Sequence, residues 1–191
     1  MTNPETTTYP DLEVPFPAVQ QFDHIAYSFG DPPVFADDGP RDLSPRPDAH
    51  GVSYPLGSAG IELSLLRELV AANPLDTFYL YKFAIDSSSL INHYNNAAYP
   101  AGGGAQIKAQ MIAGIQARAA AWGITDLANN LIMYSFTGAV DSGSSYAACL
   151  SAIDAFYGDL RATLGNFWVV QDLLTTQIDS AHNWRAAQMS F

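Results

Sequence analysis

The chain is poor in charge, in cysteine and in long apolar runs, and each shortage removes a class of function. Only 14% of its 191 residues are charged, against about 25% in a typical soluble domain. Basic residues are the scarcest: 8 Lys and Arg face 19 Asp and Glu, for a formal net charge of −11. A phosphate-binding surface needs clustered Lys and Arg to release counterions, and two lysines with six scattered arginines cannot supply one. Neither nucleic acid nor an anionic membrane surface is therefore expected as a partner. The single Cys149 excludes an internal disulfide. It sits in the helical stretch SYAACLSAIDAF and reads as a buried, inert thiol. No apolar run approaches the ~20 residues of a spanning helix. The opening MTNPETTTYP has no basic stretch followed by an apolar one, so no signal peptide is expected. These features predict a protein made and folded in a cytoplasm.

What is present is a hydrophobic fraction of 48%, enough for one sizeable core in a chain of about one domain's length. Ten of the twelve prolines fall between Pro4 and Pro55. Proline removes a backbone donor and fixes φ, so regular helices are not expected there. Residues 1–21 read as an extended arm whose Tyr9, Leu12, Val14, Phe16 and Val19 would lie along a neighbouring subunit. The domain proper is set at 22–191. Phe22–Phe29 alternates as one strand, and 30–59 reads as a long irregular, Pro/Gly/Asp-rich connection. From Gly60 the pattern changes. IELSLLRELVAA has amphipathic-helix spacing and is stopped by Asn73-Pro74. TFYLYKFAI (77–85) reads as a strand, AQIKAQMIAGIQARAAAWG as a helix ending at Gly123, and LIMYSF (131–136) as a strand. SSYAACLSAIDAFYGDLRATLG reads as a helix ending at Gly165, FWVVQDLL (167–174) as a strand, and NWRAAQ as the start of a last helix. Strands alternating with helices predict a parallel sheet with right-handed crossovers and helices on both faces, a three-layer flavodoxin-like α/β domain.

Gly60-Ile61-Glu62-Leu63, opening a helix, resembles the G-P-E-L of SGNH hydrolases of the sialate O-acetylesterase-like carbohydrate-esterase branch. Lys82-Phe83-Ala84-Ile85-Asp86-Ser87-Ser88-Ser89-Leu90 is similar to K-Y-A-x-G-G-T-S-L. Ser135-Phe136-Thr137-Gly138-Ala139-Val140-Asp141 stands where the branch has W-x-Q-G-E-x-D, followed by Tyr146 and Leu150 for Y-x-x-x-L. Leu160-Arg161-Ala162-Thr163-Leu164-Gly165 and Trp184-Arg185-Ala186-Ala187-Gln188 resemble two later elements, L-R-x-x-L-G and V/W-R-x-A-Q. The resemblance spans about residues 22–191 and implies the fold above.

It does not carry the chemistry. Such an esterase needs a serine in an opening G-Q-S-N or G-D-S turn, oxyanion donors, and a late Asp-x-x-His whose imidazole activates the serine. In this register the opening turn precedes Phe22, where 1–21 contains no serine. Ser87 stands at the oxyanion Gly, Thr137 at the Gln and Ala139 at the Glu, and the terminal Asp/His element falls after Gln188. A second register sets Gly30-Asp31-Pro32 on the G-D-S turn and Asp179-Ser180-Ala181-His182 on D-x-x-H, with a proline at the nucleophile position. There Asp179 and His182 read as an acid/base remnant, or else Asp179 or Ser180 caps the NWRAAQ helix. The vestigial cleft is thus assigned to Ser87, Ser88, Thr137, Gly138, Asp179 and His182, with no catalytic residue, metal or cofactor.

Other groupings reduce to structural roles. His24, His50, His93 and His182 lack the convergence of a zinc site. Asp31, Asp37, Asp38, Asp42 and Asp48 lack EF-hand spacing and read as turn formers. Gly102-Gly103-Gly104 is not followed by the Lys-Ser/Thr of a P-loop. Tyr79, Tyr81, Phe83, Tyr94 and Tyr99 could form a sugar platform, but aromatic residues on such a strand more often fill a core. The resulting expectation is a non-catalytic assembly protein on a degenerate SGNH-like scaffold, its partners other proteins or further copies of itself. A phage virion component, a capsid decoration or tail protein, is the leading example. A divergent carbohydrate O-acetylesterase using a serine such as Ser87–Ser89, and a glycan-binding module using the cleft, are the alternatives.

Overall fold

A computed structural model describes residues 16–26, 33–43, 61–85, 88–100, 106–135, 141, 144–171 and 186. In chain order the elements are β1 (Phe16–Ala26), β2 (Ala36–Leu43), α1 (Ile61–Ala72), β3 (Phe78–Ile85), a π-helix (Leu90–Tyr94), α2 (Ile107–Ala121), α3 (Leu127–Asn130), β4 (Ile132–Ser135), α4 (Tyr146–Leu164) and β5 (Trp168–Gln171). The chain is therefore an α/β protein. Its described strands form two sheets, one of order β2-β1-β3 and one in which β4 and β5 run parallel.

The helices follow their apolar spacing. α2 buries Ile107, Met111, Ile115 and Ala119, one residue every four, which is a single stripe along one face. α4 buries Cys149, Ala152, Ile153, Phe156, Tyr157, Leu160 and Leu164, the wider i, i+3, i+4 stripe of a helix set into a core. α1 stops at Ala72, where the backbone and side-chain amides of Asn73 both donate to the Leu69 carbonyl at 2.9 and 3.0 Å and Pro74 cannot extend the ladder. α4 begins at Ser145, whose hydroxyl accepts from the Ala148 N–H at 3.3 Å, and ends at Gly165. Gly165 has φ +91, and a Cβ there would lie 2.7 Å from Ala128 Cβ, so both the backbone angle and the space require glycine.

The contacts divide the chain into two units, and the division falls inside β1 and β3. The first unit takes in residues up to His24 and 36–82. Its core is Val19 and Leu66 with Phe16, Leu69, Val70, Phe78 and Leu80 around them, and the Arg67 guanidinium lies 5.4 Å from the centre of the Phe16 ring. At Gly39, φ is +130 and a Cβ would come 2.7 Å from the Gln21 carbonyl oxygen, so β2 can approach β1 there only without a side chain. The second unit takes in 25–35 and 83 onward. Ala26, Ile85, Tyr99 and Ile107 form one cluster there, with Phe35, Phe83 and Tyr94 against it. Lys108 of α2 donates to Asp159 of α4 and, at 3.1 Å, to Asn95 Oδ1, while Asn95 Nδ2 donates to the Ala152 carbonyl at 2.8 Å.

Three expectations change. The arm drawn over 1–21 gives way to strand from Phe16: Val19 is fully buried against Leu66 and Phe16 packs on the same cluster, so these two side chains serve this chain's own core. Tyr9, Leu12 and Val14 lie outside the described residues. The connection drawn over 30–59 contains β2, formed by ADDGPRDL, a sequence without strand-like alternation. The strands read near 22–29, 77–85, 131–136 and 167–174 are strand over most of their described residues, and among the described residues they pair in two sheets where one was expected. Strand formation is legible from local pattern, whereas pairing is set by distant partners. The helix placed at NWRAAQ is described only at Ala186, which is helical.

Candidate functional site

The best-defined polar cluster lies in the second unit, around the start of the π-helix. Ser89 is its N-cap: the Ser89 hydroxyl accepts from the Asn92 N–H at 3.0 Å and donates to Asp141 Oδ1. The other carboxylate oxygen, Asp141 Oδ2, accepts from the Leu90 N–H at 2.7 Å. The Ser89 N–H donates to His93 Nδ1 at 2.8 Å. Ser89 is 0% exposed and Asp141 3%. A helix start leaves N–H groups without intrahelical partners, and here an aspartate 51 residues further on and a histidine ring supply them.

The surroundings are closed and largely apolar. Cys149, also fully buried, lies 3.9 Å from the backbone oxygens of Asp141 and Ser144. Burial, reinforced by the nearby Asp141 charge, raises its thiol above the usual range, which suits an inert packing residue. The His93 ring packs on Tyr99 with centroids 4.9 Å apart. Tyr94 stands edge-on to Phe83 and to Phe156. Burial pushes the Tyr94 hydroxyl up to about 12, against a smaller opposing effect of its hydrogen bond to Ser88.

Burial lowers the His93 pKa below its usual 6.5, and the Asp141 charge opposes this with a smaller effect. Because the folded value is the depressed one, the stability linked to this group is fully present above pH 6.5 and is lost as pH falls from 6.5 through the folded value. Protonation also turns Nδ1 from an acceptor into a donor facing the Ser89 N–H. Stability measured by urea denaturation is expected to fall below pH 6.5 in the native protein and to fall less steeply in His93→Gln. Equal slopes for the two would show that His93 does not accept this bond.

Of the residues assigned to the vestigial cleft, Ser88 alone lies within the described residues, and its hydroxyl donates to the Ile85 carbonyl at 2.8 Å. Ser87, Thr137, Gly138, Asp179 and His182 lie outside them. What the structure does bring together are two of the blocks that carried the resemblance, 82–90 and 135–141, which meet through Ser89 and Asp141. In the sequence the two residues stand in separate blocks with nothing to join them, and His93 lacks a partner for a zinc site. The i, i+4 spacing of Ser89 and His93 was the available signal. Elsewhere, His24 Nδ1 and Asp37 Oδ1 are 2.5 Å apart, so Asp37 is engaged with a histidine. Phe83, Tyr94 and Tyr99 belong to an apolar cluster, and Tyr81 stacks on Phe22 with centroids 6.3 Å apart.

Chemically, the arrangement fixes a chain turn. A nucleophilic serine needs an accessible hydroxyl beside a base that takes its proton. Here the hydroxyl is enclosed, its proton points to a carboxylate, and the neighbouring imidazole nitrogen faces a backbone amide. Among the described residues no three of His, Cys, Asp or Glu are grouped to hold a metal ion, and no helix is long and apolar enough to cross a membrane. No family model, curated protein or solved structure matches the chain.

Proposed function

We propose that this chain is a non-catalytic assembly protein on a degenerate, three-layer flavodoxin-like scaffold of the SGNH-hydrolase type, with a phage capsid decoration or tail component as the leading example. The observation that carries the reading is the closed Ser89–Asp141 clamp. Of Ser87–Ser89, Ser89 stands at the serine of the family's block, and it is spent on capping a helix while Asp141 holds its hydroxyl. The meeting of the 82–90 and 135–141 blocks through Ser89 and Asp141 supports the scaffold, since both segments resemble blocks of that family. Few charges and a net charge of −11 fit a component chosen for protein contacts over nucleic acid.

The test is catalytic. With p-nitrophenyl acetate the full chain is expected to give no turnover above the uncatalysed rate, and a serine-reactive phosphonate is expected to leave no adduct detectable by intact mass. Turnover that is blocked by the phosphonate, and abolished by a single Ser→Ala change, would establish the esterase reading in its place.

A further inference from the structure

The second unit carries an open cavity of about 390 Å³ between the C-terminal ends of α2 and α4. Its floor is apolar. Ala119 of α2 and Leu164 of α4 are buried there, and Leu127 and Ala128 of α3, with Gly165, close one side. A Cβ at Gly165 would lie 2.7 Å from Ala128 Cβ, so the end of α4 and the start of α3 meet with no room for a side chain between them. The rim is polar and exposed, formed by Gln116, Thr125, Asp126 and Thr163. Small-molecule sites occupy ~300–1,000 Å³ and pair an apolar lining with a few polar groups. This cavity has both the size and the pattern.

Electrostatics selects the sign of the occupant. Asp126 is the only charged residue among the described residues that line the cavity. Its carboxylate accepts from the Asn129 side-chain amide at 2.7 Å and the Asn129 N–H at 3.3 Å. These bonds hold it below the usual carboxylate range, so it is ionised at neutral pH. Both helices meet the cavity with their last turns, α2 through Ala119 and Ala120 and α4 through Thr163 and Leu164. A helix C-terminus carries about half a negative charge. The Ala119 and Ala120 carbonyls already accept from the Ile124 and Gly123 N–H groups, so what α2 offers is a field. Arg118 and Arg161 stand in the same last turns but do not line the cavity, and the Arg161 guanidinium lies 5.9 Å from the centre of the Phe167 ring.

We infer that this cavity binds a small organic cation, a primary ammonium head on a short aliphatic chain. The head sits at the rim beside Asp126, in the field of both helix ends, and the chain lies over Ala119, Leu127 and Leu164. The same field repels a carboxylate or a phosphate. One carboxylate without a histidine or cysteine beside it is too sparse a ligand set for a metal ion.

Amide chemical shifts of the ¹⁵N-labelled full chain test this, with n-hexylammonium as the probe, n-hexanol as its neutral counterpart and hexanoate as its anionic one. Saturable shifts confined to residues 116–128 and 163–165 are expected with n-hexylammonium. It is expected to bind roughly 2–5-fold more tightly than n-hexanol, the range of an exposed charge pair, while hexanoate leaves these amides unmoved. Asp126→Asn keeps a good capping residue at the start of α3, and is expected to bring the ammonium down to the affinity of the alcohol. Ala120→Trp, at an exposed position of α2, fills the cavity and is expected to abolish saturable shifts from both, so that a folding failure of one variant leaves the other. Equal affinities for n-hexylammonium and n-hexanol in the native protein would overturn the inference. So would shifts spread over the acidic surface outside these segments, or an Asp126→Asn protein that binds the ammonium as tightly as the native one.

Discussion

Replacing Asp141 by alanine is expected to destabilise the protein by about 3–6 kcal/mol. The carboxylate accepts two hydrogen bonds, from the Ser89 hydroxyl and the Leu90 N–H, and bonds to a charged group contribute ~1.5–3 kcal/mol each. Truncation also leaves two donors enclosed in a part of the unit where water is excluded, because Ser89 and Leu90 are 0% and 2% exposed. Against a total stability of ~5–15 kcal/mol such a loss removes much of the folded state's margin. Asp141→Asn keeps one acceptor oxygen and nearly the same volume, and is expected to lose about half as much. Urea denaturation of the three proteins measures this. A double-mutant cycle with Ser89→Ala adds a check, since residues sharing one bond network give less than additive losses. An alanine variant within 1 kcal/mol of the native protein would show that the clamp is not what holds the turn.

The second large effect is expected at Phe156. This ring is 2% exposed on the buried stripe of α4. It stands perpendicular to Tyr94 at 5.6 Å and edge-on to Tyr157 at 5.1 Å. Phe156→Ala removes both aromatic contacts and opens a cavity in a close-packed region, at a cost of about 3–5 kcal/mol. In a chain of this size that corresponds to a fall in Tm of roughly 6–20 °C, at ~2–4 °C per kcal/mol. Phe156→Leu retains most of the volume and is expected to lose less than half as much. Calorimetry of the two variants decides the matter; equal losses would mean that ring geometry, not filled space, holds α4 against the π-helix.

How far the sequence could be read depended on the range of the interactions involved. The apolar stripes of α2 and α4, the Asn73-Pro74 stop and the Gly165 terminus are local, and the helices lie where those signals put them. β2 was hidden because ADDGPRDL has the composition of a turn, and it is strand only where Gly39 lets it meet β1. The boundary at Phe22 fell six residues inside β1 because proline at 17 and polar Gln20 and Gln21 masked the alternation, although Gln21 and Asp23 are both buried and bonded to each other at 2.7 Å. The clamp was out of reach for another reason. Ser89 and Asp141 are separated by 52 positions, and no periodicity connects residues at that distance. Each residue lies in a short block that resembles a known family, and the two blocks belong to separate elements.

Asn95 ends the π-helix and is tied on both sides, to Ala152 in α4 and to Lys108 in α2, which in turn reaches Asp159. The turn that holds Ser89 is therefore bracketed to two helices through Asn95. Swinging it outward would mean breaking the bracket and displacing α2 and α4 together, a concerted opening far rarer than loop motion. In kinetic terms, exposure of the Ser89 hydroxyl is expected to follow the parting of the π-helix from α2 and α4.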